Sequence, residues 1–244
     1  MTTAANATPD NSRRLAGIFS LALAVVLLAA GVWYATQRTD GSLDARQIVP
    51  PNANAERSAV LVHGDRARAD VPTVTVYQDF QCPACALISP QLGAPLDTLA
   101  ARGDIKLQFA TLTFLDAMLG NDSSQRASTA AHCADTVGAF AAYQTVVFAN
   151  QPAEEGMGFT DQQLRDTFPV QAGIDGADLK NFKNCVSNAR TADFATQVSS
   201  RALAAGINST PTYLVNGRTM QLNSITSLAE NDVLDLITKT AEQA

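Results

Sequence analysis

Two cysteines in Cys82-Pro83-Ala84-Cys85 are the side chains of this chain best placed by type and spacing to do chemistry. They follow the apolar run 74–80 (VTVYQDF) and open a helix-compatible stretch that reaches Arg102. A thiol at such a strand-to-helix turn meets unpaired backbone N–H groups and the positive end of the helix dipole, both of which favour its thiolate. A thiolate attacks disulfides, and a second thiol within reach resolves the mixed disulfide that forms. Pro83 suits the first helical position, where its missing N–H loses no helix bond. Cys85 falls inside the first turn. More than a hundred residues later, Thr210-Pro211-Thr212 precedes the short apolar run 213–215, closed by the turn signal Asn216-Gly217.

Cys-x-x-Cys has other uses, and the rest of the chain weighs on them. A structural zinc takes four ligands, often as two close pairs, whereas Cys133 and Cys185 stand singly and far apart. A purely structural Cys82–Cys85 disulfide would close a very short loop and stabilise little. No Cys-His follows the pair, so covalent haem attachment fails. His63 belongs to a turn signal and His132 adjoins Cys133 on a helical pattern; neither lies near the pair in sequence. Asp79, at the end of the apolar run, is either a solvated strand-end carboxylate or a buried one able to pass a proton to or from Cys85 if desolvation raises its pKa. Gln78 and Gln81 suggest no role.

These residues need a sheet and a helix to position them. A first edge strand is expected over 59–62, turning at His63-Gly64-Asp65. Val74 and Val76 alternate with Thr73 and Thr75, and Ile105, Leu107 and Phe109 with Lys106 and Gln108, which favours two strands. The segment 82–102 between them supplies a right-handed helical crossover, which Pro90 and Pro95 should kink or interrupt. A hairpin of 213–215 with 219–222 and a closing helix containing Val233, Leu234, Ile237 and Ala241 complete the second half. Residues 115–206 carry almost no strand signal. Ala127, Ala130, Ala131, Ala134, Val137 and Ala141 recur there at helical spacing, with further helices expected at 162–168, 177–186 and 192–205.

The ends bear on the compartment. Residues 15–35 (LAGIFSLALAVVLLAAGVWYA) carry no charge and are long enough to span a hydrocarbon core of about 30 Å. Arg13-Arg14 precede them and Trp33-Tyr34 sit at the far end. This predicts residues 1–14 in the cytoplasm, an uncleaved anchor at 15–35, a linker at 36–58 and an exported domain at 59–244. A cleavable signal peptide, with Ala29-Ala30-Gly31 near the cut, is the competing reading. The net charge of −6 and the lack of a basic block exclude nucleic acid as a partner. Four cysteines, all beyond the apolar stretch, fit an oxidising compartment.

In this order, each beside a strand, Cys-Pro-Ala-Cys and Thr-Pro-Thr resemble the thioredoxin superfamily, and with the helical insertion specifically the DsbA-like thiol-disulfide oxidoreductases. The chain is similar to the membrane-anchored actinobacterial type with two cysteine pairs, over roughly residues 59–244. The resemblance implies an α/β thioredoxin fold with a helical insertion, preceded by one transmembrane helix. It implies that Cys82 is the exposed nucleophile and Cys85 its resolving partner, that Pro211 is cis opposite them, and that the Thr210 hydroxyl can hydrogen-bond a sulfur. Asp79 resembles in position an acidic residue found near the resolving thiol of related proteins. With Cys82 and Cys85 taken as the redox pair, Cys133 and Cys185 are left to form a structural disulfide, or remain two buried thiols. The implied activity is the introduction of disulfides into reduced exported proteins, with no cofactor and with reoxidation by a membrane partner of VKOR or DsbB type. A reductase or isomerase on the same fold, or a non-catalytic peptide-binding module, are the alternatives.

Overall fold

A computed structural model describes residues 46–222 and 229–243, all within a unit running Arg46–Ala244. The anchor expected at 15–35 lies outside the described residues, and among those described no helix is long and apolar enough to cross a membrane.

Five strands, β1 (Val60–Val62), β2 (Thr73–Asp79), β3 (Lys106–Leu112), β4 (Thr212–Val215) and β5 (Arg218–Thr219), form one sheet in the order β1-β3-β2-β4-β5. β2 and β3 run parallel from Thr73↔Lys106 to Asp79↔Leu112, while the other three pairings are antiparallel. The parallel pair is joined by α1 (Pro83–Ala101), the expected crossover. β2 is the central strand, and Val74, Thr75, Val76, Gln78 and Asp79 are all buried along it, as expected where helices cover both faces. Asp79, its last residue, is thereby carried into the interior.

The prolines of α1 do not end it. Pro90 and Pro95 lie inside a helix of 19 residues, which continues through them with Leu92, Leu96 and Leu99 buried in the core on its inner face. Pro90 stands on the exposed face, where water can take the carbonyl it leaves unpaired.

From Leu115 the chain is helical: α2 (Leu115–Leu119), α3 (Ser123–Asp135), α4 (Phe140–Ala149), a π-helical turn over Gln163–Thr167 leading into α5 (Phe168–Gln171), α6 (Gly176–Ser187) and α7 (Ala192–Ala204). The alanine pattern expected as one repeat is divided, because Gly138 takes a left-handed φ of 73° and separates α3 from α4. α3 is the buried axis of the insertion, packed by α4, α6 and α7, and its small residues Ala127, Ala130, Ala131 and Ala134 permit that close approach. Cys133 and Cys185 form a disulfide tying α3 to α6.

After the insertion, Asn216 and Gly217 adopt φ of 48° and 82°, the left-handed pair that a two-residue hairpin turn requires. The return strand is shorter than expected, ending at Thr219, with one further bond from Met220 N–H to Tyr213 O. α8 (Glu230–Glu242) closes the sheet's second half by packing Val233 and Ile237 inward, against α1 among others. Residues 46–58, expected within the linker, instead lie along the domain. Ile48 N–H bonds Arg190 O at 2.7 Å, and Asn52 meets both oxygens of Asp135 at 2.9 Å. Composition suggested a free segment, whereas its own amides find fixed partners at the far end of the insertion.

Candidate active site

Cys82 is the N-cap of α1, in extended conformation, and Pro83 begins the helix. The Cys85 N–H, unpaired within the helix at this position, points at Cys82 Sγ from 3.3 Å. The turn feeding the helix is fixed on the other side by Cys82 N–H bonding Asp79 O at 3.0 Å. Across from it, the Thr210–Pro211 peptide bond is cis, and Cys82 Sγ donates to Thr210 O at 3.3 Å. Pro211 therefore faces the cysteines through the carbonyl that precedes it. The Thr210 side chain also lowers the pKa of both thiols.

The two thiols are held far apart in acidity. The Cys85 thiol's hydrogen bond draws the Cys82 pKa down to about 6, against burial and with help from Thr210 and the N–H groups of Cys85 and Ala84. Burial, and then the hydrogen bond and charge of Cys82, push Cys85 strongly up. Once Cys82 gives up the proton it donates to Thr210 O, the pair holds a single one, kept on Cys85. Cys82 retains 7% of its surface and Cys85 1%. The nucleophile is thus less exposed than expected, because Thr210 covers the sulfur; the residues after it, Pro83 and Ala84, are the exposed ones.

Asp79 is 0% exposed, so it is not a solvated strand-end residue. Burial raises its pKa to about 7 against three donors: the Ser124 hydroxyl at 2.5 Å, Gln81 N–H at 2.9 Å and Leu115 N–H at 3.4 Å. Its backbone pulls the Cys85 pKa down, a smaller effect than the burial that raises it.

Several residues around the pair were silent in the sequence. Gln81, beside Cys82, is buried and hydrogen-bonds Asp116, Asn121 and Ser124, each at 2.9 Å. Gln151, just after α4, donates to Phe80 O at 2.8 Å and Cys82 O at 3.1 Å, clamping the cysteine turn from the insertion side. Tyr213 is buried, and its pKa is raised by burial and then by the charge of Cys85. The signal for Gln151 is tertiary, since it comes from another element at a sequence distance no local pattern spans; Gln81 neighbours Cys82, and only its partners Asp116, Asn121 and Ser124 lie at such a distance. Gln78 bonds Gln144 at 2.6 Å, away from the sulfurs.

His63 bonds Asp97 at 3.0 Å in the turn after β1. His132 is fully buried beside Phe140 and Phe194, bonds Thr111, and is held neutral by burial, with its pKa near 3. Neither joins the cysteines. A cavity of about 490 Å³ between α1 and α4, lined by Gly93, Ala94, Ala141 and Phe148 among others, touches neither sulfur.

The family model described as Thioredoxin matches residues 62–231. Among solved structures, the chain is similar to MdbA, a thiol-disulfide oxidoreductase from Corynebacterium diphtheriae, with TM-score 0.60 and 19% identity over 79% of this chain and 95% of that one. Reduced DsbA from Mycobacterium tuberculosis gives TM-score 0.56 and 24% identity, covering 76% and 98%. BdbD from Bacillus subtilis, oxidised, gives 0.58 and 18%, covering 81% and 100%. At these identities the likeness is one of fold. No curated protein matches the chain.

Proposed function

This chain belongs to the thioredoxin family, and from that premise we propose that it is an exported, membrane-tethered thiol-disulfide oxidoreductase of DsbA type that introduces disulfides into translocated proteins. One observation carries the reading: Cys82 Sγ caps a helix, accepts the Cys85 N–H and faces the carbonyl before a cis-proline. The helix start and the Cys85 N–H stabilise Cys82 as a thiolate, and a stable thiolate is a good leaving group.

In the oxidising direction a substrate thiolate attacks Cys82 Sγ of the Cys82–Cys85 disulfide. The new S–S bond forms as the old one breaks, and the electron pair leaves on Cys85. A second substrate thiolate then attacks its own sulfur in the mixed disulfide and expels Cys82 as a thiolate. The substrate has lost two electrons and the cysteine pair has gained them. Thr210 O, which the Cys82 thiol occupies in the reduced form, becomes free to accept an N–H from an extended substrate segment. Reoxidation falls to a membrane partner of VKOR or DsbB type. The charge-free run 15–35 after Arg13-Arg14 supports the tether, and intact mass of the membrane-extracted protein tests it: a start near Gly31 or Ala35 would refute an uncleaved anchor.

Oxidation of a dithiol peptide by the disulfide form tests the chemistry. Cys85→Ala is expected to accumulate substrates covalently on Cys82, since attack proceeds and intramolecular resolution does not. Cys82→Ala should be inactive and trap little. Adducts on Cys82→Ala but not on Cys85→Ala would reverse the two roles, and no oxidation by the native pair would end the reading.

A further inference from the structure

The cavity of about 490 Å³ between α1 and α4 is lined with apolar surface by Val76, Leu107 and Phe109 from the sheet and by Phe148 from α4. Two buried glutamines interrupt that surface, Gln78 on β2 and Gln144 on α4, at 3% and 6% exposure. We propose that this cavity is a binding site for a small, mainly apolar molecule carrying a carboxamide-like edge, with a carbonyl and an N–H side by side. The site goes beyond the oxidoreductase reading and does not depend on it. The cavity touches neither sulfur, so an occupant is not a substrate of the cysteine pair.

The glutamine pair sets the class of guest. Gln78 Nε2 donates to Gln144 Oε1 at 2.6 Å. Each amide carries one carbonyl acceptor and one NH₂ donor, so this bond leaves over Gln78 Oε1 and Gln144 Nε2. Neither has a hydrogen-bond partner among the described residues. Turning both amides round exchanges the two ends and still leaves one acceptor and one donor. These ends are not sealed in protein, unlike Ser128 Oγ and His132 Nδ1; they face the space that both residues line. A purely apolar guest would cover them and leave them unpaired, which is costly. A guest with a carbonyl beside an N–H pairs both. The volume lies within the range of small-molecule sites, about 300–1,000 Å³, which are mostly apolar with a few placed polar groups.

The walls keep the space open. Gly93 stands in the interior of α1 and lines the cavity. Glycine weakens a helix at such a place relative to alanine. A Cβ there would meet nothing within 4 Å, so packing within the chain does not require its absence. Ala94 beside it, and Ala141 and Ala142 across the gap on α4, are small as well. Larger apolar side chains at these positions would close the gap between the helices, and their absence makes the volume. On the inner wall Phe148 sets its ring against Phe80 at 5.0 Å, which puts an occupant one aromatic layer from the strand end that leads to Cys82.

The test titrates cyclohexanecarboxamide into the full chain in lipid nanodiscs, with isotope-labelled alanine methyl groups followed by NMR. Saturable shifts are expected at Ala94, Ala141 and Ala142, with a Kd of about 1 mM for so small a guest. Cyclohexyl methyl ketone keeps the shape and the carbonyl but has no N–H. It should bind about tenfold more weakly, because it leaves the buried acceptor unpaired. Gly93→Leu, whose side chain fills the opening, should abolish the shifts while its Tm stays at or above the native value, since leucine is the better helix former. Replacing both glutamines, Gln78→Leu with Gln144→Leu, should erase the preference for amide over ketone. No saturable shift up to about 20 mM carboxamide, or shifts spread evenly over the chain, would overturn the site. So would equal binding of amide and ketone by native protein, a preference that survives loss of both glutamines, or undiminished binding to folded Gly93→Leu. If Gly93→Leu fails to fold, the native preference decides. Dithiol-peptide oxidation by the same protein reports separately on the oxidoreductase reading, which stands or falls without this site.

Discussion

The molecule carries two cysteine pairs in opposite surroundings. Cys82 and Cys85 sit one turn apart at a helix start, among N–H donors, the Thr210 carbonyl and a buried carboxyl, and stand as free thiols. Cys133 and Cys185 are 52 residues apart in sequence, joined, and set in the packed interior of the insertion at 0% and 3% exposure. One pair has a group to stabilise its thiolate and a proton acceptor within its own network. The other has one hydroxyl near it, Thr191 at 3.4 Å from the Cys133 sulfur. Sulfur chemistry is the same at both; hydrogen-bond donors and access decide which pair exchanges and which holds the fold.

The widest separation is between their substitutions. Cys82→Ser should abolish dithiol oxidation while leaving stability of the reduced form little changed. Cys133→Ala should keep the activity of the folded fraction but lower unfolding free energy by about 4 kcal/mol, the chain-entropy value for a loop of this length. Paired denaturant melts and activity assays check both. Loss of activity without loss of stability in Cys133→Ala would erase the distinction between a working and a structural pair.

How much of this was readable in advance follows from range. The strand, turn and helix around Cys82 are local, and the type, order and spacing of Val74 to Cys85 announce them before any contact is considered. The hairpin at Asn216-Gly217 is equally local, since both residues tolerate the left-handed backbone. Pro90 and Pro95 do not interrupt their helix for the converse reason: a local penalty is outweighed by Leu92, Leu96 and Leu99 packing in the core. Gln151, Ser124 and Asp116 were invisible because glutamine, serine and aspartate are ordinary residues until another element places them. Residues 46–58 looked like a tether because their polar composition conceals the bonds from Ile48 and Asn52 to the insertion.

The buried acid gives the next largest effect. The folded pKa of Asp79 is raised from 3.8 to about 7. A raised carboxyl contributes stability that is complete below the unfolded pKa and disappears as pH climbs through the folded one. Stability should therefore fall between about pH 4 and 7 by up to about 4 kcal/mol, since a tenfold difference in proton affinity is worth about 1.4 kcal/mol. Asp79→Asn, which never ionises, should lose this dependence. Its stability relative to native protein should be several kcal/mol better at about pH 8 than at about pH 3. A difference that stays flat across that range would mean that the carboxyl is not buried in its charged form.

A smaller change separates the pairs at the level of one amide. The reduced Cys82 thiol should be alkylated with a midpoint near pH 6, well under the ordinary thiol value of about 8.5. Gln151 satisfies two carbonyls that would otherwise turn unscreened dipoles toward the cysteine turn. Gln151→Glu removes both donors and adds an anion, so the midpoint should rise by about one pH unit, whereas accessibility of Cys133 and Cys185 should not change. A midpoint that fell or stayed fixed would show the clamp to be mechanical only.

The finest distinction lies within the active pair itself, at Ala84. The helix N-terminus and the donors of Cys85 and Thr210 already favour the Cys82 thiolate, but Ala84, exposed between the cysteines, adds neither charge nor a side-chain donor. An imidazolium there would sit beside the thiolate and stabilise the reduced form alone, since the disulfide carries no charge to attract it. Stabilising the reduced form raises the reduction potential, by about 30 mV for every 1.4 kcal/mol in a two-electron couple. The native potential is therefore expected between those of a reducing thioredoxin and a strongly oxidising DsbA, with Ala84→His moving it upward. The gain should be larger at about pH 6 than at about pH 8, because the imidazole is charged only at the lower value. Glutathione equilibration of both proteins at the two pH values measures this. An unchanged or lower potential in Ala84→His would mean that charge beside Cys82 is not what sets this pair apart from Cys133 and Cys185.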